Sequence, residues 1–206
     1  GRENGFRDGE GVQGVFMRRV LIIISCFILI SGSLFIGLLR SNYVVPIVMY
    51  HSVVPEPVRG NMLAVSAGAL RKQMRFLKRH HYNVITLEKL GELVAGAEKI
   101  PPKTIVITFD DGYKDAYTQA FPVLKEYGLP AAMFIIVNEV GRSDRLSWEE
   151  IRSMQASGLI TFGSHTMGPE PLTKIKDAQK LKSEIFDSRK ILEEKLGRQI
   201  NIFSYP

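Results

Sequence analysis

Six strand-like residues, Thr104-Ile105-Val106-Ile107-Thr108-Phe109, run directly into two adjacent carboxylates and a glycine, Asp110-Asp111-Gly112. An apolar strand that ends this way holds two acids at the rim of a core, where desolvation and mutual repulsion make both costly. Either a cationic group offsets that cost or one acid carries a proton. Both conditions suit a metal ion and a catalytic base. Asp-Gly is also a strong hairpin-turn signal. A hairpin needs a second alternating strand immediately afterwards, and Tyr113-Lys114-Asp115-Ala116-Tyr117 runs instead into a helix-like pattern.

Around this segment, short apolar strands alternate with amphipathic helices. The pattern predicts strands over 44–50, 82–87, 104–109, 131–137, 159–164 and, from Ile200 to Tyr205, the start of one more. Between them, Ser66 opens a helix with Leu70, Met74 and Leu77 at helical spacing, and Leu87, Leu90, Leu93 and Val94 mark the inner face of the next. A helix over 117–127 ends at Gly128, with Pro122 predicting a kink or restart near Phe121. Ser147-Trp148-Glu149-Glu150 is a capping box opening a helix that closes at Gly158. A long helix over 177–196 turns Ala178, Leu181, Ile185, Leu192 and Leu196 inward and ends at Gly197. Strand and helix alternating in this way argue for α/β architecture, a parallel sheet covered by helices and either open or closed as a barrel. In a barrel, chemistry gathers at the C-terminal strand ends. His51, Asp110-Asp111 and His165 each stand at such an end.

The N-terminal region is different. Residues 20–39 carry no charge, Met17-Arg18-Arg19 precedes them and Arg40 follows. At about 1.5 Å per residue the run matches a bilayer core of roughly 30 Å. It is longer than the apolar region of a typical cleaved signal, and no good small-x-small cleavage site follows. Residues 17–40 are therefore expected to be a single-pass signal anchor. Arg18 and Arg19 favour a cytoplasmic N-terminus, with everything after Arg40 extracytoplasmic. Residues 1–16 are glycine-rich and charged without periodicity, and are expected to be an unstructured tail. The only cysteine, Cys26, lies inside the apolar run, so no disulfide forms within the chain.

The formal net charge is +6. Arg71, Lys72, Arg75, Lys78 and Arg79 alternate with Leu70, Met74 and Leu77 as the wet face of one helix, so the charge gives no support for nucleic-acid binding. A phosphate loop ending in Gly-Lys-Ser/Thr is absent, as is Gly-x-Ser-x-Gly, which removes nucleotide hydrolysis and serine catalysis. A carboxylate and a histidine suit a divalent ion such as zinc, with the adjacent carboxylate free to take a proton from water.

Taken together, these residues resemble the polysaccharide deacetylase (NodB-homology) family. Thr108-Phe109-Asp110-Asp111-Gly112 matches its first motif in full. Val45-Pro46-Ile47-Val48-Met49-Tyr50-His51-Ser52-Val53 is similar to the opening strand of one large branch. Leu146-Ser147-Trp148, Ser157-Gly158-Leu159-Ile160 and Gly163-Ser164-His165-Thr166-Met167 follow that branch in order and spacing. The resemblance covers residues 44–206 and implies a distorted (β/α) barrel that removes N-acetyl or O-acetyl groups from a cell-wall or exported glycan containing N-acetylglucosamine. It implies Asp110 as catalytic base and Asp111 and His165 as ligands of zinc or cobalt. His51 and Tyr205 are candidate substrate contacts, His51 being equally suited to a plain strand-end hydrogen bond.

The chain departs from the family pattern in two places. The third metal ligand should be a histidine four residues after His165, where Pro169 stands. Glu170 is the nearest oxygen donor and would serve only if the loop shifted, while His80 and His81 belong to another helix end. Phe203-Ser204-Tyr205-Pro206 resembles a variant of the third motif, and the later motifs would lie past residue 206, so the domain is expected to be incomplete at its C-terminal end. The resemblance thus leaves an enzyme, a glycan-binding relative without catalysis, and a decayed product as competing expectations.

Overall fold

The computed structural model describes residues 8–41, 44–56 and 60–206, the side chains of the first segment over 16–35. The chain divides into two units, residues 1–44 and 45–206. In the first, helix α1 (Asp8–Ser41) runs for 34 residues. It starts inside the stretch expected to be a tail, of which residues 1–7 lie outside the described residues. Once the apolar run is helical, each further residue adds a hydrogen bond without a new nucleus. Phe16–Phe35 is long and apolar enough to cross a membrane. Its large side chains, Leu21, Phe27 and Phe35 among them, are exposed.

The second unit is α/β. Its strands are β1 (Ile47–Tyr50), β2 (Ser52–Val54), β3 (Ala64–Ser66), β4 (Asn83–Val84), β5 (Thr104–Phe109), β6 (Ala131–Ile135) and β7 (Ile160–Ser164). Its helices are α2 (Ala67–Arg79), α3 (Leu87–Ala95), α4 (Phe121–Tyr127), α5 (Trp148–Ala156) and α6 (Ala178–Leu196). Every strand pairing is parallel. The main sheet has the order β1-β5-β6-β7, β4 pairs with the first residues of β5, and β2 and β3 form a separate pair. Among the described residues this sheet is open, so the closed barrel is not formed. The strand expected over 200–205 contributes a single bridge, Phe203 to Ser164, and among the described residues no strand joins β7 back to β1.

Local chemistry sets the element boundaries. The Ser66, Thr86, Ser147 and Asp177 side chains each accept the backbone N–H three residues on, each cap worth about 1 kcal/mol. In return the Ser147 N–H donates to the Glu150 carboxylate at 2.8 Å, completing the capping box. Pro122 has the predicted effect: Ala116–Ala120 forms a π-helical turn and α4 restarts at Phe121. All six residues of β5 and all five of β6 are buried, with Phe109, Leu124, Met133, Ile135, Ile151, Met154 and Leu192 almost fully inaccessible.

Gly163 is fixed by close approach. A Cβ there would lie 2.6 and 2.7 Å from ring atoms of Phe134 and 2.8 Å from the Ile202 side chain. Gly163→Ala is therefore expected to lower stability by about 1–3 kcal/mol through overpacking, read as a reduced urea midpoint at unchanged slope. An unchanged midpoint would mean that Phe134 and Ile202 yield freely.

Candidate active site

Because β5 and β7 run parallel and flank β6, their C-terminal ends emerge on one rim. The Asp110 N–H donates to the Tyr50 carbonyl at 2.9 Å, docking the end of β5 against the end of β1 beside His51. At Asp111 the backbone turns left-handed, φ 67°, and stays so at Gly112, φ 65°. An Asp tolerates that region better than most residues, at some cost in strain. The turn signal in Asp-Gly is thus real, but no hairpin follows. Gly112–Lys114 pairs instead with the segment preceding α5, through Leu146 N–H to Gly112 C=O and Lys114 N–H to Asp144 C=O.

The turn brings Asp111 to His165. Asp111 Oδ1 lies 3.4 Å from His165 Nε2. The other ring nitrogen, Nδ1, is 2.8 Å from the Ser204 carbonyl, which can only accept, so Nδ1 carries the proton and donates. Nε2 is left to face the carboxylate. Tetrahedral ligands at zinc bond lengths of about 2.0–2.2 Å stand roughly 3.3–3.5 Å apart, so this spacing suits two donors sharing one ion as well as an ion pair. An imidazole held through its far nitrogen by a carbonyl is the usual second-sphere arrangement of a metal-ligating histidine.

The electrostatics of the three groups differ. Burial pushes the Asp110 carboxyl above its usual range, with His165 and His51 pulling partly back. Asp110 is 5% exposed and its Oδ1 has no hydrogen-bond partner. Hydrogen bonding to His165 holds Asp111 below the usual carboxylate range against burial, helped by His51 and Arg145. For His165, burial works downward, but bonding to Asp111 and Ser204 and the charges of both carboxylates outweigh it and raise its pKa. The site thus contains one acid held toward its neutral form and one held ionised beside an imidazole.

The remaining candidates fall further out. His51 is partly buried and close enough to act on both carboxylates. Tyr205 is 73% exposed, its ring packed edge-on against Phe203. Glu170 points to helix α6, with its carboxylate 2.6 Å from Lys180 Nζ, so it does not replace the histidine missing at Pro169. Among the described residues no group of three or more His, Cys, Asp or Glu side chains is gathered for a metal ion. Any ion here would be held by Asp111 and His165 alone.

Residues 97–206, just over half of the chain, match the sequence profile of the family described as Polysaccharide deacetylase. The chain belongs to the polysaccharide deacetylase family. Members of this family are carbohydrate hydrolases acting on N-acetyl groups. YxkH of Bacillus subtilis, which carries the name polysaccharide deacetylase, is 35% identical over 161 residues, 78% of this chain and 56% of that protein. The poly-beta-1,6-N-acetyl-D-glucosamine N-deacetylase of Escherichia coli K12 is 28% identical over 134 residues, 58% of this chain and 20% of that protein. The chain therefore spans about half or less of the length of these relatives. Among solved structures, IcaB from Ammonifex degensii superposes with a TM-score of 0.72 at 30% identity, covering 79% of this chain and 73% of that one.

Several groups around this candidate site escaped the sequence reading. Asp115 sits in the turn after Gly112, and its Oδ2 accepts the Ser52 hydroxyl at 2.5 Å, tying the His51 segment to the Asp-Asp segment. The Arg145 guanidinium lies 4.0 Å over the Tyr113 ring and pairs with Asp144 and with buried Glu139. The contacts that tie these groups to the site, Ser52 to Asp115 and Arg145 to Tyr113, join residues 63 and 32 positions apart, beyond the reach of local sequence patterns. The sequence reading placed Asp115 only within a helix-like pattern after the Asp-Gly turn.

Asp115 gives a pH test. Burial raises its carboxyl pKa against the Ser52 and Val53 bonds and the Arg145 charge, and its Oδ1 is buried without a partner. An acid whose folded pKa is raised binds its proton more tightly in the fold. Ionising it therefore costs stability, nothing below the unfolded pKa and the full amount above the folded one. Asp115→Asn is expected to be neutral in acid and stabilising near pH 7. A difference in unfolding free energy that does not change with pH would sink this account.

Proposed function

We propose that this chain forms the catalytic region of a membrane-anchored, metal-dependent deacetylase that removes N-acetyl or O-acetyl groups from a cell-wall or exported polysaccharide. The observation that carries the reading is the 3.4 Å approach of Asp111 to a His165 whose far nitrogen is already held by Ser204. In this reading Asp111 and His165 hold zinc or cobalt, and the ion supplies Lewis acidity toward the acetyl carbonyl and a water. Asp110 takes the proton of the attacking water. Its upward-shifted carboxyl is a stronger base than an ordinary aspartate. His51 and Tyr205 contact the sugar, and the open sheet is part of a distorted (β/α) barrel. The named activity of the Escherichia coli relative supports a substrate containing N-acetylglucosamine.

The assay is acetate release from an N-acetylglucosamine oligomer with zinc or cobalt added. Slow, metal-stimulated release that disappears in His165→Ala is expected. Release indifferent to chelator and to that substitution would remove the metal reading. Pro169 favours a second reading, a glycan-binding relative without catalysis; oligomer binding with no release at saturating metal would establish it.

The anchor is the uncharged run 20–39 with the globular unit outside the cytoplasm, supported by the apolar helix through it and by Arg18 and Arg19 on its N-terminal side. A cytoplasm-dependent reporter fused after Arg40 is expected to stay silent. Strong signal from that fusion reverses the topology.

A further inference from the structure

We propose that Glu184 is a positioning residue for His165, holding from helix α6 the loop that carries the imidazole. The inference deepens the metal-site reading above and rests on it.

The loop after β7 needs such support. Thr166, directly after His165, is left-handed with φ 69°, a conformation that persists in a residue with a branched Cβ only where the surroundings impose it. Glu184 lies in the inward stripe of α6, 9% exposed. An apolar residue there would avoid the cost of a buried carboxylate. Its Oε2 instead accepts the N–H groups of Met167 and Gly168, each at 2.9 Å. These are the last two amide donors before Pro169, which has none.

One helical turn further on, Ser188 is fully buried. Its hydroxyl donates to the Glu184 carbonyl at 2.7 Å and lies 2.7 Å from the Ser164 hydroxyl. Ser164 Oγ in turn accepts the Thr166 N–H. Residues on both sides of His165 are thereby fastened to one face of α6, at positions four apart, where side chains share a face. With the backbone fixed, the ring is oriented by Ser204 at Nδ1 and presents Nε2 to Asp111. A ligand of this kind must be held within about 0.5 Å to function.

The test uses the full chain in detergent with Co²⁺ as probe. Three quantities are read for each variant: Co²⁺ affinity by calorimetry, Tm, and the His165 ring nitrogens by long-range proton–nitrogen NMR without metal. Glu184→Ala is expected to bind Co²⁺ about 10–100-fold more weakly and to lose the uniform Nδ1–H signature. Glu184→Gln, which keeps an oxygen able to accept both amides, restores affinity to within a few-fold of the unsubstituted chain. A purely structural role would lower Tm while leaving the affinity and ring signature of the folded protein unchanged, and that result overturns the proposal. If Glu184→Ala does not fold, Glu184→Asp decides. Its carboxylate is one methylene too short to reach both amides, so unchanged affinity and ring signal there also overturn it. His165→Ala separates the two readings. If Co²⁺ affinity survives that substitution the metal assignment fails, and the ring signature in the Glu184 variants alone then decides for or against the positioning role.

Discussion

Replacing Pro169 by histidine is expected to raise the affinity for Zn²⁺ or Co²⁺ by more than about 100-fold. Losing only a partner in the second shell of a metal site costs 10–100-fold, so gaining a direct imidazole donor should exceed that range. Asp111 and His165 leave more positions to water than the three protein ligands of an ordinary catalytic zinc site. Position 169 is four residues past His165, and the two amides before it are already bound by Glu184. The new side chain would therefore join a loop that is largely ordered, and little of its gain would be spent on fixing the backbone. Calorimetric titration of the substituted and unsubstituted chains measures the effect. Pro169→Ala is the control, because it releases the proline's restriction on Gly168 without adding a donor. Equal affinities for the Ala and His variants would place the effect in the backbone and deny position 169 a role as ligand. Acetate release should rise together with affinity in the His variant.

How much of this was legible in the sequence depends on the range of the interaction. The β5 strand, the Ser147 capping box and the restart at Phe121 were readable because each is decided by a few neighbouring residues. The rim carrying Asp110, Asp111 and His165 was readable because parallel β/α order sends strand ends to one side. The inner face of α6 was misread. Ala178 is exposed and Leu181 and Ile185 are only partly buried, while Glu184 and Ser188 occupy the buried stripe with Leu192 and Leu196. Counting apolar periodicity passes over a carboxylate and a hydroxyl whose partners are backbone amides and a serine 16 to 24 residues away. β4 was overestimated for a related reason: Thr86 leaves the predicted strand to cap α3, since its hydroxyl has a backbone N–H within reach. Closure of a barrel was beyond sequence periodicity altogether, because it depends on which strands meet across the sheet.

Asp110→Asn, placed in the Pro169→His background so that metal affinity and turnover are both measurable, is expected to lower kcat by about 10²–10⁴-fold. Metal affinity should stay within a few-fold. The division follows from the geometry: Asp111, not Asp110, is the carboxylate that reaches His165 Nε2, and Asp110 keeps a buried oxygen without any partner. A base acts only when ionised. Because burial raises the Asp110 pKa, kcat/KM of the Asp110 enzyme should fall as pH drops through that raised value, and this acid limb should vanish from the residual activity of the Asn variant. Asparagine keeps the shape of the side chain but cannot take up the proton, so KM should change little. Should metal affinity collapse in parallel with kcat, Asp110 would be a ligand and the two aspartates would have to exchange roles. Should the acid limb persist without Asp110, the base would lie elsewhere, and His51, near enough to influence both carboxylates, would be the next group to replace.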